Sequence, residues 1–214
     1  LWTMMARISG LTGIAAAAVP NQKQDYLNDV FYIDRAAATY GQPVVDRVTA
    51  LIENTSINFI VLPDSYELTQ IEAAALSQWV NEGGFLLRFA GPRLAENGNT
   101  SALLPVEIYS GGRSLGGTMS WSTPATPKRF SEDSPFSGFQ VPDQFTVSRQ
   151  VLARPSINLD ERTWLYLNDN TPLITSSELG AGQVTFVHTA ANTEWSDFII
   201  SDFFPVFLNV LANN

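Results

Sequence analysis

The chain has 214 residues, of which 45% are hydrophobic and 15% charged, and its net charge at pH 7 is −9. This composition is typical of a globular protein with a substantial core, and a negative charge without any basic stripe argues against a nucleic-acid partner. Cysteine is absent, which excludes disulfides, thiolate metal sites and cysteine nucleophiles and fits an oxidising compartment.

The first third of the chain alternates strand and helix patterns. Residues 4–11 are predicted to form a strand, and apolar side chains at helical spacing predict a helix over residues 26–40 that ends at Gly41. Residues 44–48 are rich in β-branched side chains and predict a short strand. The run at residues 58–62 is continuous and apolar, which predicts a strand covered on both faces.

The next unit has the clearest pattern in the sequence. Thr69 and Glu72 match a capping box, in which side chains satisfy the free N–H groups at the start of a helix. Gly83 and Gly84 end this helix, and residues 85–89 (FLLRF) predict a second buried strand. We therefore expect a right-handed strand–helix–strand unit. The buried face of its helix is expected to carry Leu68, Ile71, Ala75 and Trp79.

The pattern changes between about residues 103 and 153. Gly111-Gly112 and Gly116-Gly117 separate short runs, and residues 145–152 alternate between two sets of side chains. This pattern predicts an antiparallel β insertion with long loops, within a single domain that covers residues 1–214. The aromatic side chains of the insertion either pack it onto the rest of the domain or form an exposed interaction patch. These are Tyr109, Trp121, Phe130, Phe136 and Phe139.

The last quarter of the chain returns to regular elements. Strand patterns occur at residues 163–167, 173–177 and 183–188, and the last two are expected to form a hairpin. A C-terminal helix follows, in which Pro205 is tolerated if Ser201 is the N-cap. The apolar side of this helix is expected to carry Phe203, Val206, Phe207, Val210 and Leu211.

Several strings resemble the glutamine amidotransferase-like domain of large bacterial membrane proteins. Those proteins have a BatA-type N-terminal region with two membrane helices and end in a further domain of unknown function. The resemblance extends from about residue 26 to the C-terminus. Its strings include GGFLLRFAGPRLA (residues 83–95), LLPVEIYSGGRSLGGTMSW (103–121), SPFSGFQVP (134–142), SRQVLARP (148–155) and HTAANTEWSD (188–197).

This resemblance implies an α/β fold, a three-layer α/β/α flavodoxin-like sandwich of the class I glutamine amidotransferase type with a β insertion. It also implies a soluble domain tethered in a longer inner-membrane protein, with the periplasmic side favoured. The sequence opens on Leu1, with Met4 and Met5 following, so we expect it to be part of that longer chain. The resemblance carries over no known activity.

This sequence lacks the nucleophile that the amidotransferase reaction requires. Class I enzymes place a cysteine at the turn after a buried strand, and the corresponding turn here falls near Ala90-Gly91. No G-x-S-x-G elbow occurs that would supply a serine instead. We therefore expect no catalytic residue, no metal site and no cofactor.

The single histidine, His188, closes a predicted strand and precedes Glu194 by six residues. Ligands of open parallel α/β sheets bind beyond the carboxyl ends of the strands. His188, Asn192, Glu194 and Trp195 are therefore candidate ligand-binding residues. In the alternative interpretation, His188 hydrogen-bonds the backbone and the following residues only organise a turn.

A second group of candidates follows two other predicted strands. Asp64 and Arg88 each close or follow an apolar run, so both are expected in the same crevice. Burial of a guanidinium is costly without a carboxylate partner, which favours a structural Asp64–Arg88 ion pair. Alternatively, Arg88 and Arg93 recognise an anion, since the guanidinium fork suits carboxylate or phosphate.

Three functions remain open from the sequence. The first is a non-catalytic ligand-sensing or protein-interaction domain, whose partners are other proteins or domains of the parent protein and whose ligand is a small anion or a carbohydrate. The second is a hydrolase that uses His188 with Glu194 or Asp64 as acid and base. The third is a carbohydrate-binding domain, suggested by a likeness to the degenerate amidotransferase-like middle domains of some β-galactosidases.

Overall fold

The computed structural model describes residues 11–17, 29–97, 103–109, 118–143 and 145–213, without the side chains of residues 118–123. Within these ranges no helix is long and apolar enough to cross a membrane. The elements are β1 (Leu11–Ala15), α1 (Asp29–Ala37), β2 (Val44–Asp46), α2 (Val48–Glu53), β3 (Ile57–Leu62), α3 (Gln70–Asn81), β4 (Phe85–Phe89), α4 (Pro92–Asn97), β5 (Thr118–Ala125), β6 (Pro127–Phe130), β7 (Val147–Val151), α5 (Leu159–Arg162), β8 (Thr163–Leu167), β9 (Pro172–Leu179), β10 (Gly182–Val187), a 3₁₀ turn (Phe198–Ile200) and α6 (Phe203–Ala212).

Eight strands form one large sheet in the order β2-β1-β3-β4-β10-β9-β8-β6. The strands from β2 to β10 in this order are parallel to their neighbours, and β9, β8 and β6 continue the sheet in antiparallel fashion. Helices follow the parallel strands β1 to β4 along the chain. The expected α/β fold class is therefore confirmed.

Helices cover the sheet because alternate side chains of its central strands enter different cores. In β3, Phe59 and Val61 belong to the core formed with α1 and α6. Ile60 and Leu62 belong to the core formed with α2 and α3. Both sets are almost completely buried, which explains why this strand is apolar throughout rather than alternating.

The predicted strand–helix–strand unit is present, and Leu68 and Trp79 of the predicted face pack against the core, but the centre of the buried face was predicted wrongly. The capping box between Thr69 and Glu72 is formed. Ile71, however, is 80% exposed, and Glu72, Leu76 and Val80 face inward. The buried row therefore begins at the capping glutamate, which is held from inside by the hydroxyl of Tyr66 at 2.6 Å.

Helix α2 was not predicted, because the strand pattern was extended to Val48. The strand ends at Asp46, whose carboxylate accepts a hydrogen bond from the N–H of Arg47. Val48 then starts a helix, and its N–H donates to the Tyr66 hydroxyl at 3.2 Å. Val48 and Leu51 are both buried. A side chain from the following unit thus supports a helix start that local propensity does not indicate.

The antiparallel β insertion is confirmed in the part of it that the structure describes. Strands β5 and β7 form a separate antiparallel pair, whereas β6 joins the edge of the large sheet beside β8. The expected alternation in β7 is broken at its end, because Gln150 is buried and Arg149 is exposed. The amide of Gln150 donates to the carbonyl of Pro172 at 2.7 Å. Gly111-Gly112 and Gly116-Gly117 lie outside the described residues.

Most described aromatic side chains of the insertion pack onto the domain. Phe136 is completely buried and contacts the rings of Phe203 and Phe207 in α6. Phe139 and Tyr109 remain 41% and 43% exposed, respectively. The side chain of Trp121 lies outside the described part of the structure, as do residues 4–10 of the first predicted strand and residues 26–28 of the first predicted helix.

The C-terminal elements agree with the sequence, except for one face and the N-cap of the last helix. Strands β9 and β10 form the expected antiparallel hairpin. In α6, Phe204 and Leu208 are completely buried and Val206 is 41% exposed, so the predicted apolar side was wrong at these positions. Pro205 occupies the first turn, as expected, but the N-cap is Asp202 rather than Ser201.

Candidate functional site

The carboxyl ends of the parallel strands β3, β4 and β10 lie at one edge of the large sheet, which we call the carboxyl edge. Asp64 follows β3, Gly91 follows β4, and residues 188–194 follow β10. All seven candidate residues from the sequence belong to these strands or to the segments after them. The structure distributes them among three different environments.

His188 lies inside the protein. Its side chain is completely buried, with Nδ1 2.7 Å from the carbonyl oxygen of Val151 and Nε2 3.0 Å from the hydroxyl of Thr175. A carbonyl only accepts, so Nδ1 carries the proton, and Nε2 of the neutral ring accepts from Thr175. Burial lowers the pKa of His188 to about 4, against a smaller opposing effect of the Val151 carbonyl. This geometry agrees with the alternative in which His188 hydrogen-bonds the backbone.

Strand β7 closes the crevice around His188. The N–H of Val151 donates to the carbonyl of His188 at 2.8 Å, and the N–H groups of Ser148 and Arg149 donate to the carbonyl of Trp195 at 2.7 and 3.1 Å. Trp195 is 3% exposed and packs in a small core with residues of α4. The insertion therefore fills the part of the crevice in which His188 and Trp195 were expected to meet a ligand.

Asp64 holds the start of helix α4. Its two carboxylate oxygens accept hydrogen bonds from the N–H groups of Arg93 and Leu94, both at 3.0 Å. A Cβ atom at Gly91 would clash with the carboxylate of Asp64, so only glycine allows this close approach. Burial raises the pKa of Asp64, and the two backbone hydrogen bonds oppose that rise. The carboxylate thus bonds the backbone, and its charge and that of Arg88, the partner predicted from the sequence, also attract each other.

The two arginines of the predicted anion site lie in different environments. Arg88 is buried, and its Nη1 donates to the carbonyl of Leu103 at 3.1 Å. Burial lowers its pKa to about 10, opposed by the charge of Asp64, so it stays protonated at neutral pH. The side chain of Arg93 is 58% exposed and lies 3.8 Å from Glu67. One guanidinium is thus buried while the other meets solvent.

Asp29 is a site residue that the sequence reasoning missed. It is the first residue of α1 and is 6% exposed, and its Oδ1 accepts a hydrogen bond from Nδ2 of Asn192 at 3.0 Å. Oδ1 of Asn192 in turn accepts from the N–H of Glu194 at 3.2 Å. In the sequence, Asp29 is marked only as an acidic residue in the first turn of a predicted helix, where a negative charge is favourable.

Asp29, Asp64 and Glu194, bridged in part by Asn192, form what we call the carboxylate cluster. Burial is the main cause of the raised pKa of Asp29, and the negative charge of Glu194 adds to it. The charge of Asp29 similarly raises the pKa of Asp64. Within the described ranges, no group of three or more Asp, Glu or His side chains is placed to hold a metal ion. The cluster therefore favours hydrogen-bond donors and positive charge and repels anions.

No protein-family model and no curated protein matches the chain. Among solved structures, two cytoplasmic proteins from Salmonella typhimurium are similar, with TM-scores of 0.65 and 0.66 and 14% identity over 94% of this chain and 97% of theirs. A β-galactosidase from Rahnella sp. R3 has a TM-score of 0.65 and 14% identity, over 96% of this chain but only 31% of its own. The chain therefore has a fold that occurs both as a protein of similar length and as one part of a larger glycosidase.

Proposed function

We propose that this chain is a non-catalytic ligand-sensing or protein-interaction domain of a membrane-anchored bacterial envelope protein, on the periplasmic side. We further propose that its fold is the flavodoxin-like, class I glutamine amidotransferase-like sandwich without the nucleophile. The strand order β2-β1-β3-β4-β10 supports this, because flavodoxin-like sheets have the order 2-1-3-4-5. The family strings and the absence of cysteine support the same assignment.

The burial of His188 is the observation that carries the non-catalytic assignment. A general base must come within hydrogen-bond reach of a substrate proton, directly or through one water molecule. Both ring nitrogens of His188 are already bonded inside the protein, to Val151 and Thr175. Its hydrogen bonds to described residues include neither Glu194 nor Asp64, so the hydrolase alternative gains no support from this geometry.

The charge of the carboxylate cluster indicates what kind of partner would bind at the carboxyl edge. Glu194 is exposed, while Asp29 and Asp64 lie largely beneath the surface. A small anion is disfavoured here, because the nearby guanidinium of Arg88 is buried. We therefore propose a partner surface that presents Lys, Arg or N–H donors, supplied by another domain of the parent protein or by a neighbouring protein.

The carbohydrate-binding alternative required an exposed aromatic platform. Trp195 is buried, and the exposed ring of Tyr109 lies 5.6 Å from the guanidinium carbon of Arg154. The likeness to part of a β-galactosidase concerns the fold alone. These two rings therefore give no support to a platform for stacking a sugar at the carboxyl edge.

Site-specific crosslinking tests the proposed interaction surface. A photo-crosslinking residue is placed at Glu194 of the membrane-anchored parent protein, and a control is placed at Glu53, which is exposed at the end of α2. We expect a defined adduct from position 194 and none from position 53. In a second variant the crosslinker is placed at Thr193, and its adduct should be lost when Glu194→Lys is added. Equal adducts from positions 194 and 53 would refute the assigned surface. Turnover of acyl, phosphoryl or glycosyl substrates that His188→Gln abolishes would refute the non-catalytic assignment.

A further inference from the structure

A cleft of about 170 Å³ lies at the opposite edge of the sheet from the carboxylate cluster. It is bounded by the start of β1, the C-terminal end of α1 with the turn into β2, and the C-terminal end of α6. The residues that line it are not part of the proposed partner surface. Binding of a ligand in this cleft therefore goes beyond the proposed function and does not depend on whether the carboxyl edge binds a partner.

The described residues that line the cleft carry no formal charge, although the chain as a whole has a net charge of −9. Its polar side chains are two hydroxyls, of Thr12 and Tyr40, whose oxygens lie 3.4 Å apart, and the amides of Gln42, Asn209 and Asn213. Hydroxyl and amide groups both donate and accept hydrogen bonds. Such a lining complements a molecule whose own groups do both, which is the property of alcohol hydroxyls.

The apolar part of the lining and the two helix ends further restrict the class of ligand that fits the cleft. Leu11, Ala37 and Ala212 give the cleft an apolar wall. The C-terminal ends of α1 and α6 carry partial negative charge from their last carbonyl groups, which disfavours anions. The ligand is therefore expected to be uncharged, with carbon–hydrogen surface on one side and hydroxyl groups on the other.

The size of the cleft sets the size of this ligand. A cavity of about 150 Å³ accommodates a benzene ring, and the cleft measures about 170 Å³. We propose that the cleft binds one uncharged, polyhydroxylated six-membered ring, such as a pyranose sugar unit or a cyclitol.

Titration of the chain with D-galactose, D-mannose and myo-inositol, followed by amide chemical shifts, tests this assignment. We expect saturable shifts for at least one of these rings, confined to the ends of α1 and α6 and the start of β1. Glucuronate, which has the same ring but a carboxylate, should bind more weakly. The absence of saturable shifts with every neutral ring would overturn the proposal, as would equal binding of glucuronate.

Two pairs of variants separate a specific site from weak surface binding. Asn209→Ala removes one lining amide and should weaken binding about three- to tenfold, as expected for the loss of one hydrogen bond, whereas Gln78→Ala on exposed α3 should not. Gly41→Phe adds a ring at the rim of the cleft and should abolish binding, whereas Gly138→Phe should not. Cβ atoms at both glycines meet no described atom within 4 Å, so a side chain can leave the backbone at either position without a clash at Cβ. Equal effects within either pair would overturn the assignment, without bearing on the crosslinking of the carboxyl edge.

Discussion

At the scale of single residues, the sequence position of a polar side chain says little about its environment. His188 can be buried because its Nδ1 donates a hydrogen bond to the carbonyl of Val151, which lies 37 positions earlier in the chain. Asp29 becomes part of the carboxylate cluster through Asn192, 163 positions away. Both contacts depend on how elements are arranged in space, so a scan for residue types cannot identify them.

The buried His188 predicts a pH dependence of stability. Its pKa is about 4 in the folded protein, against 6.5 for an unperturbed histidine, so the unfolded chain binds the extra proton first as the pH falls. His188 should therefore destabilise the fold progressively between about pH 6.5 and pH 4, by roughly 3 kcal/mol in total. Urea unfolding of the wild type and of His188→Gln across this range measures the effect.

The variant provides the control for other titrating groups. The raised pKa values of Asp29 and Asp64 act with the opposite sign, because the folded protein binds their protons first. They are present in both proteins, so the difference between the two pH profiles isolates His188. Parallel profiles would contradict the neutral, buried state of this histidine.

At the scale of elements, the capping box of α3 does more than begin a helix. Glu72 accepts hydrogen bonds from Thr69 within the box, and it also accepts from the hydroxyl of Tyr66 at 2.6 Å and lies 3.6 Å from a guanidinium nitrogen of Arg47. Tyr66 also accepts from the N–H of Val48 at the start of α2. One carboxylate therefore joins the starts of two neighbouring helices.

Substitution of Glu72 tests whether its carboxylate links the starts of α2 and α3. Glu72→Gln weakens the capping box and the bond from Tyr66, and should lower the free energy of unfolding by about 1–2 kcal/mol. Glu82→Gln at the exposed end of the same helix is the matched control and should change it by less than about 0.5 kcal/mol. Chemical denaturation measures both, and similar losses for the two variants would contradict the assigned role of Glu72.

At the scale of the whole molecule, the insertion is tied into the domain on two sides. Strand β6 extends the large sheet beside β8, and β7 exchanges backbone hydrogen bonds with the segment that follows β10. Phe136 fills a core that α6 also lines. These contacts make the described part of the insertion a component of the main core.

The insertion is therefore expected to unfold together with the large sheet. Amide hydrogen exchange at increasing urea concentrations should give the same opening free energy and the same urea dependence for Val151 in β7 and Val61 in β3, because both sit in one cooperative unit. Ser56, before β3, is an exposed residue whose N–H donates to the side chain of Asn54 at 3.1 Å rather than to another strand, so it provides a faster-exchanging reference. An opening of Val151 that is independent of urea would indicate a separately unfolding insertion.

The sequence by itself determined most elements of this protein. The continuous apolar runs of β3 and β4, the capping box of α3 and the turn between β9 and β10 are local signals, since they depend on neighbouring residues and on whether a strand is covered on both faces. They were sufficient to predict the α/β class and a β insertion. That the chain has no cysteine nucleophile also follows from the sequence, because cysteine is absent.

Only the tertiary structure decided which side chains meet. Glu72 rather than Ile71 faces inward because Tyr66 and Arg47 surround its carboxylate. The candidate site was divided in the same way, since β7 covers His188 while Asp29 and Asp64 remain near the carboxyl edge. A buried polar group needs a specific partner, and that partner comes from a distant part of the chain. Its identity is therefore set by the packing of the elements and not by the residues beside it in the sequence.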